Sequence, residues 1–220
     1  MPRLASRIAL LIAACLCVAA CGGSSSSSTS QTSTTSATTT TASKTLLGYE
    51  NMPIELGPDL ATPSTTGIGT VDGITCAPIE QLAYHIHAHL AVYVNGSLRS
   101  LPAGIGIPGS SQVPYHGGVV AGGSAQCIYW LHTHTNDGVI HIESPTARVY
   151  TLGAFFDEWR QPLSSGQVAS AKGPVTANVN GKIWSGSPRA IPLNPHADIQ
   201  LDIGSPTVPF RSVSWSQANL

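Results

Sequence analysis

The stretch Tyr84–Val94, YHIHAHLAVYV, alternates so regularly that it leaves the chain little choice of local structure. Ile86, Ala88, Leu90, Val92 and Val94 fall at every second position, and His85, His87 and His89 take intervening ones. Successive strand side chains point to opposite faces, so the pattern defines a strand with one apolar face and one face carrying imidazoles. Asn95-Gly96 follows at once. Both residues tolerate the positive φ that a two-residue hairpin turn demands, so the chain is expected to return along Ser97–Leu101.

The same signature recurs. Cys127–Ser144 reads as a second hairpin turning at Asn136-Asp137-Gly138, and Val175–Trp184 as a third turning at Asn180-Gly181. A last alternating strand is expected in HADIQLDIG, with Ile199, Leu201 and Ile203 on one face. The period changes once, in TLGAFFDEW. There Leu152, Phe155, Phe156 and Trp159 fall at i, i+3, i+4 and i+7 behind Thr151, a suitable N-cap, and predict one short helix with an aromatic core face. Leu46–Gly73 reads as an irregular lead-in, and Pro102–Gln126 as a long Gly/Pro-rich excursion carrying His116. Loops of that length are often functional or mobile. The fold class that follows is α+β and β-rich, mostly antiparallel hairpins with one short helix. From the second hairpin onward the element order resembles a β-grasp; a β-sandwich with a capping helix is the alternative.

The N-terminus sets the compartment. Arg3 and Arg7 precede the apolar run Ile8–Ala20, which has the form of a secretory signal peptide and is too short for a stable span. Its end, VAAC, resembles the lipobox of bacterial lipoproteins, which implies cleavage before Cys21 and acylation of that cysteine. The reading is residues 1–20 as signal peptide, 21–45 as lipidated Cys21 and tether, and 46–220 as one domain. The membrane, through the lipid anchor, is then a partner, and the domain lies on the extracytoplasmic side. Gly22–Thr45 is dominated by Ser and Thr and buries too little apolar surface to offset ordering. As a flexible coil it would span roughly 25–30 Å.

Charged residues make up only 10% of the chain, and no basic patch or stripe is visible, which argues against nucleic acid. Once the leader and Cys21 are set aside, Cys76 and Cys127 remain in an oxidising compartment, and a disulfide between them is expected.

Six of the eight histidines, His85, His87, His89, His132, His134 and His141, lie in the first two hairpin segments. Two histidines in H-x-H on a strand are about 6.6 Å apart at Cα, within reach of one ion bound about 2 Å from each ring nitrogen. Three in a row span about 13 Å, more than one ion can bridge from a straight strand. Two ligands from one strand with others from elsewhere, or two ions, are therefore expected. In the second hairpin, a loop of two or four residues gathers His132, His134, His141 and Glu143 on one surface. A three-residue loop with a bulge at Gly138 would instead bring Ile140 and Ile142 beside the histidines. Amphipathic consistency favours the first register. Glu143 is a candidate ligand, general base or partner orienting an imidazole, whereas Asp137 reads as a turn residue.

Imidazoles with at most one carboxylate suit copper or zinc, and a disulfide would leave no thiolate for a blue-copper site. The local pattern, His-x-His on a strand with another histidine from a neighbour, resembles the ligand layout of α-class carbonic anhydrases and cupin metalloenzymes. The whole domain resembles uncharacterised bacterial envelope lipoproteins. Neither resemblance implies an activity for this chain, and no Gly-x-Ser-x-Gly elbow, Walker loop or dinucleotide fingerprint occurs in it. The functional expectation is a lipid-anchored, extracytoplasmic copper- or zinc-binding protein. The rivals are a metal-dependent hydrolase or oxidase and a metal-free scaffold or adhesion module.

Overall fold

A computed structural model describes residues 45–48, 50–63, 66–67 and 69–220. The signal segment, Cys21 and nearly all of the Ser/Thr tether lie outside the described residues.

Strand β1 (Cys76–Ala77) precedes the long β2 (Tyr84–Val94), which turns at Asn95-Gly96 into β3 (Ser97–Arg99). Asn95 and Gly96 have φ of 50° and 76°, the two positive values that the hairpin requires. The Gly/Pro-rich excursion forms a hairpin of its own, β4 (Ser111–Tyr115) and β5 (Gly118–Gly122). Next come β6 (Ile128–Tyr129), β7 (Leu131–His132) and β8 (Val139–Ser144), then helix α1 (Leu152–Trp159). Three short strands follow as a small sheet: β9 (Leu163–Ser164), β10 (Gln167–Val168) and β11 (Ala171–Lys172). The third hairpin is β12 (Val175–Val179) and β13 (Lys182–Trp184), again turning at an Asn-Gly pair, and β14 (Ala197–Ile203) ends the regular structure.

Among the described residues the main sheet has seven strands in the order β13-β12-β14-β2-β8-β7, with β3 also paired to β2. The domain is thus α+β and β-rich, and most of its strand pairs are antiparallel. The central pair is the exception, because β14 lies parallel to β2 from Ala197 beside Ala88 to Ile203 beside Val94. A hairpin cannot make that pairing; the connection from β2 to β14 runs through the rest of the domain.

The register sorts side chains cleanly between faces. Ile86 opposes Ile142 and Ala88 opposes Ile140, and Leu131 opposes Ile142 from the other side. Leu90 and Val92 lie beside Ile199 and Leu201. Apart from Ile86, which is half-buried and packs against them, these residues form one buried cluster with Leu152, Phe155, Phe156 and Trp159 of α1. The helix begins where the period indicated, with Thr151 Oγ1 accepting from the Ala154 backbone N–H at 3.3 Å.

The opposite face is polar, yet it too is covered. Asp198, Gln200 and Asp202 of β14 are buried there, and they accept backbone N–H groups of the C-terminal segment. Val208 N–H donates to Asp202 Oδ1 at 2.9 Å, Arg211 N–H to Gln200 Oε1 at 3.1 Å and Val213 N–H to Asp198 Oδ2 at 3.2 Å. An alternating strand usually implies a solvated polar face; here that face holds a strap of chain in place.

The first arm of the second hairpin is broken at Trp130 into β6 and β7. Cys127 is bonded to Cys76, and β6 pairs with β1, whereas β7 pairs with β8. Beyond His132 the excursion takes over the pairing: Thr133 N–H donates to the Ile105 carbonyl at 3.0 Å and Ala121 N–H to the His134 carbonyl at 2.6 Å. Gly106 makes this approach possible, since a Cβ there would lie 2.3 Å from the Leu131 carbonyl oxygen. The excursion is therefore packed structure that pulls His134 out of the β7–β8 ladder.

The expected disulfide is present, with Cα atoms 5.4 Å apart and a sequence separation of 51. In the chain-entropy treatment such a loop stabilises by about 4 kcal/mol. The double variant Cys76→Ser/Cys127→Ser is expected to lose stability of that order in denaturant unfolding; a loss below about 1 kcal/mol would contradict a structural bridge.

Glu158 is buried on α1, and neither carboxylate oxygen has a hydrogen-bond partner. Burial, and then the charge of Asp72, push its carboxyl well above its ordinary value of 4.5. Below that value the group is protonated in folded and unfolded chains alike. Above it the unfolded chain ionises while the folded chain retains the proton, so stability falls as pH rises. Glu158→Gln is expected to raise Tm at pH 7.5 by a few degrees, about 2–4 °C per kcal/mol for a chain of this size. The gain should vanish near pH 4. An equal effect at both pH values in thermal unfolding would refute this account.

Candidate metal centre

Three adjacent strands assemble the histidines. On β2 and β8, His85 opposes Glu143 and His87 opposes His141; on β7, His132 opposes His141 from the far side. The two-residue period puts all five on the polar face, and His134 joins them from just beyond β7. His141 lies at the centre. Its ring centroid is 4.6 Å from His87, 5.2 Å from His132 and 4.4 Å from His134.

Glu143 is the common neighbour. Its Oε1 is 3.2 Å from His85 Nε2, 3.2 Å from His141 Nδ1 and 3.8 Å from His132 Nε2. His141 Nε2 donates to Glu50 Oε1 at 2.8 Å. His132 Nδ1 lies 2.9 Å from the Tyr129 carbonyl oxygen, which can only accept, so Nδ1 carries the hydrogen and Nε2 presents its lone pair. That lone pair faces His134 Nε2 at 3.1 Å. Glu80 Oε1 is 3.4 Å from His134 Nε2. The segment carrying Glu80 follows β1, which the disulfide ties to β6. Two buried atoms, His87 Nε2 and Glu143 Oε2, have no hydrogen-bond partner. Orphaned polar atoms of this kind cost free energy unless something occupies the site.

Burial first, and neighbouring imidazoles second, keep most of the rings neutral. His87 is pushed down to about 3 and His134 to about 4, and His132 lies well below its ordinary value of 6.5. Neutral imidazole is the form that binds metal. For His141, burial also disfavours a charge, but hydrogen bonds and charge from Glu143 and Glu50 outweigh it and raise the pKa to about 9. In the metal-free protein His141 is therefore an imidazolium held between two carboxylates.

Two sets of ligand atoms, each within 4.8 Å of one another, emerge from this arrangement: His85, His87, His141 and Glu143, and His132, His134, His141 and Glu143. An ion about 2.0–2.2 Å from each of four tetrahedral ligands holds them about 3.3 Å apart. The contacts of 3.1, 3.2 and 3.8 Å in the cluster bracket that spacing. These histidines and Glu143 could hold a metal ion. The cluster opens on a cleft lined also by Glu50, Glu80, Asn219 and Leu220.

Five of the six histidines expected as ligands meet here. His89 does not. It sits one step further along β2, beside Val139, with Nε2 3.6 Å from Glu55 Oε1. Burial lowers its pKa to about 4. The length of three alternate positions on one strand carries it away from the others. His116 occupies the β4–β5 turn and stacks on Tyr115 at 4.1 Å. His196 stacks on Trp215 at 4.7 Å. Asp137 takes a turn role, accepting from Val139 N–H at 3.1 Å. Sequence reasoning missed Glu50 and Glu80. Glu50 lies 91 positions from His141, in a lead-in without periodicity, and no spacing signal points to it. Glu80 stands five residues before His85, close enough to have been weighed.

Neither family models, nor curated proteins, nor solved structures give a match to this chain.

The contact with Tyr129 fixes one observable. In chelator-treated protein, long-range proton–nitrogen NMR is expected to show His132 as the Nδ1–H tautomer. An Nε2–H tautomer would contradict the arrangement around its lone pair.

Proposed function

We propose that this chain is an extracytoplasmic, lipid-anchored protein whose histidine cluster captures, buffers or delivers copper or zinc. The observation that carries the metal reading is the convergence of five imidazoles, four of them buried or half-buried and His85 exposed, on Glu143, with His87 Nε2 and Glu143 Oε2 unpartnered. Copper and zinc are favoured over harder ions because the donors are imidazoles with a single shared carboxylate, and both cysteines are in the disulfide. Each ligand set supplies four protein donors, enough to saturate one ion, which favours binding over catalysis. A metal-dependent hydrolase or oxidase is the second reading, favoured by the cleft beside the cluster.

Anchoring rests on the sequence: the basic start, the apolar run, VAAC and the polar tether. Among the described residues no helix is long and apolar enough to cross a membrane. Acyl chains on Cys21 would supply the attachment.

The full chain, purified without a histidine tag or chelator, is expected to carry near-stoichiometric copper or zinc by elemental analysis. His87→Ala and His134→Ala should each reduce the content, while His116→Ala should leave it unchanged. A metal-free protein that takes up neither ion at micromolar concentration would sink the metal reading and leave a polar histidine surface. Independently, labelled palmitate should enter the wild-type chain and not Cys21→Ala; equal labelling would refute the lipid anchor.

A further inference from the structure

We infer that residues 216–220 are a movable cover on the metal cleft, the wall that opens to let an ion in or out. The inference rests on the metal-binding reading and adds how access to that site is controlled.

The walls of the cleft are unequally held. His85, His87, His141 and Glu143 stand on β2 and β8, which run side by side in an unbroken ladder from Tyr84 against Ser144 to His89 against Val139. The backbone of His134 is fixed by the bond from Ala121 N–H. Glu80 belongs to the segment that the Cys76–Cys127 disulfide ties to β6. Glu50 sits in a lead-in pinned on both sides of it: Gly48 N–H donates to the Met52 carbonyl at 2.8 Å and Glu55 N–H to the Asn136 carbonyl at 2.9 Å. The Met52 side chain between them is fully buried. The remaining wall is Asn219 and Leu220, carried by the C-terminal strap.

The strap changes character at Trp215. Up to that point the polar face of β14 holds it, and Trp215 is itself fastened. Its Nε1–H donates to Asp198 Oδ1 at 3.0 Å and its ring stacks on His196 at 4.7 Å. Beyond Trp215, Ser216, Gln217, Asn219 and Leu220 are exposed. A short turn there closes on the strap itself, with Ala218 N–H donating to the Trp215 carbonyl at 3.2 Å. Among the described residues, two hydrogen bonds join residues 216–220 to the rest of the domain. Asn51 Nδ2 donates to the Gln217 carbonyl, and Asn219 N–H donates to the Glu50 carbonyl at 2.9 Å. Local opening costs least where few contacts and little buried surface hold a segment. Of the cleft's walls, this one gives way first.

Both ties land on the turn that carries Glu50. Its carbonyl accepts from the cover while its carboxylate holds His141 Nε2 at 2.8 Å. Neither tie involves a histidine or Glu143, so the cover can swing away at Trp215 and leave the ligands in place. Two hydrogen bonds of ordinary strength correspond to a change of about 5- to 100-fold in the opening equilibrium. Exchange through the opened form follows its population.

The test loads the full chain with Zn(II), or with Cu(II) if that is the ion it takes up, and follows transfer to an excess of a chromogenic chelator. A chain ended after Trp215 is expected to hold as much metal as the wild type and to release it about 5- to 100-fold faster. Asn51→Gly removes one tie while suiting the φ of 61° at that position, and should speed release by about 2- to 10-fold. Release at the wild-type rate in both variants would overturn the cover. So would a lower metal content in a folded shortened chain, since residues 216–220 would then belong to the binding site. If the shortened chain does not fold, Asn51→Gly decides alone. No uptake of either ion by the wild type would remove the metal reading and the cover together.

Discussion

The pairing of β2 with β8 is the constraint on which the rest depends. Strand side chains alternate, so setting His87 against His141 also sets Ile86 against Ile142 and Ala88 against Ile140. The apolar contacts on one face thus lock the positions of the ligands on the other. A slip of one residue would drive imidazoles into the packed side where α1 sits and expose the isoleucines, a cost no other part of the fold could offset. The parallel partner β14 reinforces the same sorting, with Ile199 and Leu201 on the apolar side and Asp198 and Gln200 on the polar one.

A sheet with a buried polar face needs partners for every group placed there. At the β14 end the C-terminal segment supplies them as backbone N–H donors. At the β8 end the groups partner one another: Glu143 is approached by three imidazoles, and Glu50 closes on His141 from the lead-in. Breaking such a network by removing one member leaves a charge uncompensated in a low-dielectric setting, which costs several kcal/mol. The cluster is held together by this mutual dependence, and the atoms still lacking partners mark where an ion can enter.

Much of this was legible in the chain. The Asn-Gly turns, the alternation of β2 and β14 and the period of α1 each depend on residues near one another in sequence, so local rules find them. The register of the second hairpin could be chosen because Ile140 and Ile142 had to join the core with Leu131. Other features were hidden. The break at Trp130 arises because Cys127 is drawn to Cys76 while Leu131 pairs with β8, two pulls from different parts of the chain. The departure of His134 from the ladder follows from pairing with the excursion. The separation of His89 followed from strand geometry, but its partner Glu55 did not.

The sequence by itself determined the strand that carries three histidines, the positions of the turns, the short aromatic helix, the disulfide and the residue types able to bind metal. Each follows from covalent preference or from a period that repeats within a few residues. Only the tertiary structure decided which histidines share a site, that Glu143 stands between two sets of them, and that Glu50 and Glu80 close around it. The physical reason is distance along the chain. Alternation fixes which face a side chain takes, but which strands lie side by side is set by the packing of the whole core, and β14, β2, β8 and β7 become neighbours only when that core forms.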